Sequence, residues 1–249
     1  MNLMKFPNLA KILCLSACFL LAAPCSFAQA NEEIISSEAA HSFYNQLYKT
    51  DSRLVSGEYY QIPIMNTATG HPFFIDQSWK TGTIVIDGII FNELPLRYDI
   101  SSNELILSTI DFTNSYLQIK LKKHNIEYFT LNDKLFKPFK KDTLQTDPLF
   151  YEELVNGKIS LLLLKTKTLK ISSGALSDYR YQTSQKKFLS INNKLFSYKG
   201  KRSLYKLFPE FKEAIKTYSR QKKIRLRPKK MSGHIELINY CNSLLESKI

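Results

Sequence analysis

The residue types best suited to catalysis or metal binding in this sequence are histidine and cysteine, but their spacing does not assemble a site. His41, His71, His124 and His234 are scattered along the chain. None belongs to a His-x-His or His-Glu-x-x-His pattern, the spacings that bring two metal ligands together. The chain also lacks a Gly-x-Ser-x-Gly nucleophile elbow and a glycine-rich phosphate loop. We therefore predict no catalytic residue, no metal ligand and no cofactor.

His71 has two interpretations. It precedes Pro72, and Asp76 and Trp79 follow closely, so it could serve as a base or a ligand with those neighbours. A residue before proline favours an extended backbone, and the same residues are typical of a turn that leads into a strand. We favour the turn, because no partner for His71 is evident.

Two further groupings resemble catalytic pairs. His234 and Cys241 are seven residues apart, which is about 10.5 Å along a helix and too far for a hydrogen-bonded dyad. Cys241 also falls on the apolar face of the last predicted helix, so we expect it to pack in the core. Glu152 and Glu153 are adjacent on a predicted strand and would point to opposite faces.

The first 30 residues have the pattern of a secretory signal peptide. Two lysines and no acid precede an apolar run at 12–24, and Ala28 and Ala30 occupy the −3 and −1 positions of a cleavage site. The run is shorter than the roughly 20 residues that a membrane-spanning helix needs. We expect cleavage before Asn31, a periplasmic or extracellular location and no transmembrane span after cleavage.

Cysteine usage follows from this leader. Cys14, Cys18 and Cys25 lie within it, and Cys241 is the single cysteine that follows, so no intramolecular disulfide is expected. Leu15-Ser16-Ala17-Cys18 resembles a bacterial lipobox, in which the cysteine would be lipidated. That alternative would make the protein a lipoprotein, but the motif sits inside the apolar run instead of closing it.

The positive charge is concentrated in one segment. The chain has 35 lysines and arginines against 22 acids, and without Lys5 and Lys11 of the leader the balance is 33 − 22 = +11. Residues 199–230 hold 13 bases and two acids, 13 − 2 = +11, so the rest of the chain after the leader is balanced. A local excess of this size is a candidate contact surface.

Within this segment we predict an anion-binding set of six residues. They are Lys212, Lys216, Arg220, Lys223, Arg225 and Arg227. The partners we expect are anionic lipid, lipopolysaccharide or an envelope protein, and nucleic acid is not expected because export removes the protein from the cytoplasm. The alternative is a solvated helix surface in a lysine-rich chain.

The pattern from about residue 57 to residue 199 is that of β-structure. Asp87-Gly88 and Asn156-Gly157 each separate runs of strand-forming residues and predict hairpins. Weaker turn signals occur at 101–103, 132–133 and 192–193. We predict a mainly β fold of antiparallel hairpins, arranged as a meander, a sandwich or an open barrel.

Helical spacing marks both ends of the predicted domain. Apolar residues from Ala40 to Tyr48 recur at helical spacing and predict a short N-terminal helix. After Lys199 we expect Ser203 to cap a short helical turn, a second helix to begin at Pro209 and Ser232 to cap the last one. Residues 31–249 are therefore expected to form one β-rich domain, with 200–249 as its basic C-terminal part and a helical pair packed on the sheet.

A resemblance rests on several strand and turn motifs. They are Gly70-His71-Pro72-Phe73-Phe74, Trp79, Gly82, Asp87-Gly88, Leu96-Arg97-Tyr98-Asp99-Ile100, Phe150-Tyr151, Leu154 and Asn156-Gly157. Together they resemble secreted β-rich proteins common in Bacteroidota. The resemblance covers most of the chain after the leader and implies export and a β-rich fold, and it implies no catalytic residue.

Two functions remain open from the sequence. The first is a non-enzymatic envelope protein that binds an anionic component through residues 199–230. The second is a periplasmic enzyme, hydrolase-like, whose site is assembled from distant residues. A deep pocket with convergent histidine and carboxylate side chains would favour the second.

Overall fold

This computed structural model describes residues 51–61, 68–111, 113–140, 147–172 and 178–247, in which twelve strands form one sheet. The strands are β1 (Glu58–Tyr59), β2 (Ala68–Thr69), β3 (Lys80–Ile86), β4 (Ile89–Asp99), β5 (Glu104–Ile110), β6 (Tyr116–Lys120), β7 (Ile126–Leu131), β8 (Lys134–Phe139), β9 (Leu149–Val155), β10 (Ser160–Ser172), β11 (Asp178–Ile191) and β12 (Lys194–Ser197). The same residues contain the α-helices α1 (Ser52–Val55), α2 (Lys201–Leu207), α3 (Lys212–Gln221) and α4 (Ser232–Glu246), with 3-10 turns at Lys123–Asn125 and Pro209–Phe211. The predicted mainly β fold with a helical C-terminal part is confirmed.

The sheet follows the chain closely, with one reversal. Its order is β1-β6-β5-β4-β3-β7-β8-β9-β10-β11-β12, all antiparallel, and β2 pairs in parallel with β11. The reversal occurs at β3, where Ile84 lies opposite Phe91 of β4 on one side and Phe129 of β7 on the other. Of the arrangements expected from the sequence, the structure shows the meander.

The Asp87-Gly88 hairpin is confirmed in detail. Asp87 has φ 50° and Gly88 has φ 76°, so both central residues are left-handed, as a type I′ turn requires. The Asn132-Asp133 and Asn192-Asn193 turns have the same pair of positive φ angles. Asparagine and aspartate tolerate this conformation better than most residues, which is why these weaker signals were also correct.

The Asn156-Gly157 prediction was correct for the hairpin and wrong for its turn. Strands β9 and β10 do pair, but four residues connect them and neither Asn156 nor Gly157 has a positive φ. A Cβ on Gly157 would lie 2.5 Å from Nδ2 of Asn242, on α4. The Asn242 side chain accepts from the backbone N–H of Ile159 (2.8 Å) and donates to its carbonyl (3.0 Å). Glycine is needed here for the close approach of α4.

One apolar core lies inside the curl of the sheet. The rings of Phe129 and Phe136 stack at 4.8 Å, and the ring of Tyr98 on β4 is 5.9 Å from that of Phe150 on β9. β4 and β9 are not neighbours in the sheet, so the sheet curls to bring these rings together. Asn103 bridges the same gap, since its side chain donates to Pro148 O and accepts from Phe150 N, each at 3.1 Å.

A second apolar cluster joins α2, α3 and α4 to the sheet. Leu161 and Leu189 from β10 and β11 are fully buried with Ile215 of α3 and Leu237 of α4. The predicted helical pair corresponds to α3 and α4, and α2 precedes it. Ser203 lies inside α2 instead of capping it, and its hydroxyl accepts from Lys199 N at 3.0 Å. The helix predicted at Ala40–Tyr48 falls outside the described residues.

Candidate anion-binding surface

The basic segment 199–230 is largely exposed. Eleven of its 13 lysines and arginines are exposed, and the remaining two, Lys201 and Lys216, are half-buried. The apolar residues of the same segment, among them Leu204, Phe211 and Ile215, turn inward to the second cluster. The segment therefore presents its charges outward on a well-packed base.

Helix α3 carries the first three predicted residues on one side, but they are not equivalent. Lys212 and Arg220 are exposed. Lys216 donates to Glu213 at 2.7 Å, and this hydrogen bond is the main cause of a lowered pKa of Glu213. Lys216 is thus already paired with a residue one turn away, and its contribution to anion binding stays a prediction.

Lys223 ends this helix in an unusual conformation. The N–H of Ile224 donates to Ser219 O (2.9 Å) and that of Lys223 to Arg220 O (3.1 Å), which is the Schellman pattern. Lys223 has φ 50°, at the position where glycine is usually found. The chain thus places an exposed cation at a position where glycine would adopt the positive φ with less strain.

The next residues alternate between the core and the solvent. Ile224 and Leu226 pack into the helical cluster, whereas Arg225 and Arg227 are exposed. Together with Lys223 they place a cation at every second position. None of these three side chains makes an ion pair with a residue in the described part of the chain.

The backbone of this stretch is held by side chains from two other elements. Nε2 of His234 on α4 lies 3.1 Å from Arg227 O. On the next residue, Pro228 O accepts from Gln185 Nε2 (2.7 Å) and Lys187 Nζ (3.3 Å), both on β11. The position of the arginines is therefore fixed by contacts that the local sequence does not reveal.

Cys241 lies in the core, as expected, and His234 is buried as well. His234 is 2% exposed, and its Nδ1 is 3.3 Å from the Tyr198 hydroxyl. Since a carbonyl can only accept, Nε2 carries the proton and Nδ1 accepts from Tyr198. Burial lowers the pKa of His234 and raises the pKa of the Cys241 thiol to about 12. His234 thus supports the backbone at Arg227.

We expect His234 to make stability fall in mild acid. Because its pKa is lowered in the fold, the unfolded chain takes up a proton first as the pH drops through about 6.5. The contribution of neutral His234 is complete above that pH and declines below it, until the pKa in the folded protein is reached. Urea unfolding from about pH 7.5 to about pH 5 should show the native chain losing stability relative to His234→Gln. A constant difference would contradict the assignment.

His71 is a turn residue in the structure. Its Nδ1 lies 3.2 Å from the N–H of Phe73 and 3.3 Å from Lys167 Nζ. Burial, followed by the charge of Lys167, lowers the pKa of His71. Asp76 instead pairs with Lys80 at 2.8 Å, so the neighbours suggested by the sequence do not converge on the imidazole.

Trp79, the other sequence neighbour of His71, belongs to an aromatic stack. Its ring and that of Phe73 contact the Arg97 guanidinium, at 4.0 Å and 4.6 Å from their centroids. Burial lowers the pKa of Arg97. This stack covers the outer face of β4, and no local pattern of residues predicted it.

Asp99 is a buried polar residue that the sequence analysis missed. Its side chain has no exposed surface, and it accepts from the Tyr60 hydroxyl (2.8 Å) and from the N–H groups of Ser101 (2.7 Å) and Ser102 (3.1 Å). Aspartate before two serines at a strand end is typical of a turn in which the carboxylate caps the backbone. That signal could have identified the turn but not the distant partner Tyr60.

His124 lines an open cleft of about 310 Å³ between β1 and the end of β6. It lies 2.9 Å from Asp147, and the other two acids of the cleft are also paired, Glu58 with Lys120 (3.0 Å) and Glu104 with Lys123 (2.8 Å). Each carboxylate among the described lining residues thus already has a side-chain partner, a lysine for Glu58 and Glu104 and the imidazole of His124 for Asp147. The cleft does not match the deep acid–base site that would favour an enzyme.

Glu152 and Glu153 also serve as ion-pair partners. Glu152 is buried and contacts Lys134 and Lys165, and Glu153 contacts Lys137 at 2.9 Å. Across the described residues no three His, Cys, Asp or Glu side chains are placed to hold a metal ion. Among the helices described, none is long and apolar enough to cross a bilayer.

Comparisons with protein-family models, with curated proteins and with solved structures found no match in any of the three. The resemblance to secreted proteins of Bacteroidota therefore stays a prediction. Function has to be argued from the surface itself.

Proposed function

We propose that this protein is exported and, without catalysing a reaction, binds an anionic component of the cell envelope through a basic surface. The surface consists of Lys212, Arg220, Lys223, Arg225 and Arg227. The leader pattern of residues 1–30 supports export, and the charge of residues 199–230 supports an anionic partner.

The observation that carries this proposal is the concentration of these five exposed cations between Lys212 and Arg227. Lys120, Lys123 and Lys134 each contact a carboxylate, whereas the five are exposed and have no such partner among the described residues. Neighbouring like charges repel one another and do not stabilise the fold. An external polyanion would turn this repulsion into attraction.

Binding should depend strongly on salt. Each lysine or arginine near an anionic surface contributes about 1 kcal/mol, and five of them correspond to a change in affinity of roughly several thousand-fold at low ionic strength. Attraction between exposed charges is screened within about 10 Å at 0.1 M salt. We therefore expect tight binding at low salt and release on adding salt.

The test compares three probes and two matched variants. Lipopolysaccharide, phosphatidylglycerol vesicles and polygalacturonate are each incubated with the protein, and the bound fraction is measured as salt is raised. One variant changes all five residues of the basic surface to glutamine and should bind roughly several thousand-fold more weakly. The control changes five exposed lysines elsewhere to glutamine, namely Lys122, Lys140, Lys170, Lys186 and Lys194.

The control has the same net charge as the first variant, so it separates a local surface from overall basicity. We expect it to keep most of the affinity. The proposal fails if the native protein binds none of the three probes at low salt, or if both variants lose affinity equally.

A further inference from the structure

The basic surface ends in a row of three cations, Lys223, Arg225 and Arg227. These residues alternate with the inward-facing Ile224 and Leu226. In an extended chain, alternate residues project from the same side about 6–7 Å apart, which describes Arg225 and Arg227. Lys223, with its φ of 50°, precedes them at the end of α3. The three cations therefore follow one another along the chain.

This row is held rigidly before any partner arrives. At its start, Ile224 N donates to Ser219 O at 2.9 Å. In its middle, Gly233 lies so close to Arg225 that a Cβ would be 2.7 Å from Arg225 O. The contacts of His234 and Gln185 fix its end. A site whose backbone is already ordered loses less entropy on binding.

The row has no apolar or aromatic residue to accompany its charges. The large hydrophobic side chains that are exposed in the described residues are Tyr59, Ile75, Ile89, Ile90, Tyr116 and Ile171. All of them precede residue 199. Insertion into a bilayer relies on exposed apolar side chains, and binding to single-stranded nucleic acid relies on aromatic side chains that stack on bases. The row offers neither.

We propose that Lys223, Arg225 and Arg227 bind a linear acidic polysaccharide, a proposal that rests on the anion-binding function above. A hydrated chain with carboxylates along its length presents successive charges to these successive cations. Arginine binds planar carboxylates through two parallel hydrogen bonds. Each of the two arginines would therefore bind one carboxylate in this way, and Lys223 would add a single positive charge. No apolar contact is needed for such a ligand.

The test measures affinity by titration calorimetry with three probes at one low salt concentration. The probes are polygalacturonate, phosphatidylglycerol vesicles and a single-stranded oligonucleotide, compared per negative charge. Polygalacturonate should bind most tightly to the native protein. The triple variant Lys223→Gly, Arg225→Gln and Arg227→Gln should bind it about 100-fold more weakly. The slope of its log affinity against log salt concentration should be smaller by about two to three, because two to three fewer ions are released on binding.

Two variants act as controls. Lys199→Gln, Arg202→Gln and Lys206→Gln together remove three exposed charges outside the row and should weaken binding less than tenfold. Gln185→Ala keeps every charge but removes the 2.7 Å bond to Pro228 O. It should weaken polygalacturonate binding several-fold, because the row is then less ordered before binding.

Each outcome bears on the proposal. Tighter binding of vesicles or of the oligonucleotide overturns the polysaccharide inference and leaves the anion-binding function standing. Equal losses in the two triple variants overturn the role of the row. Binding of no anionic probe overturns both the inference and the function on which it rests.

Discussion

Replacing Asp99 with alanine is expected to lower the free energy of unfolding by about 4 kcal/mol. The change leaves the buried Tyr60 hydroxyl without an acceptor and removes the hydrogen bonds that the carboxylate accepts from the N–H groups of Ser101 and Ser102, at an exposed turn. A buried donor without a partner costs about 1–3 kcal/mol, and each lost hydrogen bond of the turn costs about 1 kcal/mol.

Urea unfolding of two further variants tests the cause. Asp99→Asn keeps an oxygen for the two serine N–H groups and should cost about 1–2 kcal/mol. Tyr60→Phe removes a single donor and should cost about 1 kcal/mol. If Asp99→Ala destabilises no more than Tyr60→Phe, the carboxylate does not organise this turn.

Replacing Gly82 with alanine is expected to cost about 3 kcal/mol of unfolding free energy, because the new methyl group has no space. The Cβ would lie 2.4 Å from Thr130 O and 2.8 Å from Cδ1 of Leu96. Thr130 belongs to β7, so relief requires β3 and β7 to move apart where the sheet reverses its order. The midpoint of urea unfolding should fall accordingly.

Gly88→Ala is the matched comparison for Gly82→Ala. A Cβ on Gly88 would meet nothing within 4 Å, but its φ of 76° is unfavourable for alanine. This conformational cost is about 1 kcal/mol. Similar losses for the two variants would show that the approach of β7 is looser than the structure indicates.

The parts of the fold that were predicted correctly depend on residues close together in sequence. The hairpin at Asp87-Gly88 is specified by two adjacent residues that accept positive φ. The helical spacing around Ile215 and Leu237 likewise reports which side of a helix is buried. Such local patterns predict the structure correctly because the tertiary contacts of the fold agree with them.

The errors concern residues whose role is set by a distant partner. Gly157 looked like a turn glycine, but the constraint comes from Asn242, 85 positions later. Asp99 could not be recognised as buried without knowing that Tyr60 lies against it. Hydrogen bonds across such separations leave no periodic pattern in the sequence.

The candidate site also combines features that neighbouring residues determine with features that distant partners determine. The basic segment could be found from composition, and the pairing of Lys216 with Glu213 follows from i,i+3 spacing and could have been anticipated. The row at Lys223, Arg225 and Arg227 became a defined site only through contacts from β11 and α4. Those contacts fix its geometry, which charge counting cannot supply.

The order of the strands has a consequence for how the chain folds. Within the part of the chain that the structure describes, all but three of the eleven strand pairings join consecutive strands. Hairpins of this kind have low contact order and can form within microseconds. Joining β3 to β7 instead brings together residues such as Ile84 and Phe129, which requires a longer loop to close. A chain that emerges from its N-terminus would complete the pairings among β3, β4, β5 and β6 early. We expect the later pairing of β3 with β7 to set the folding rate.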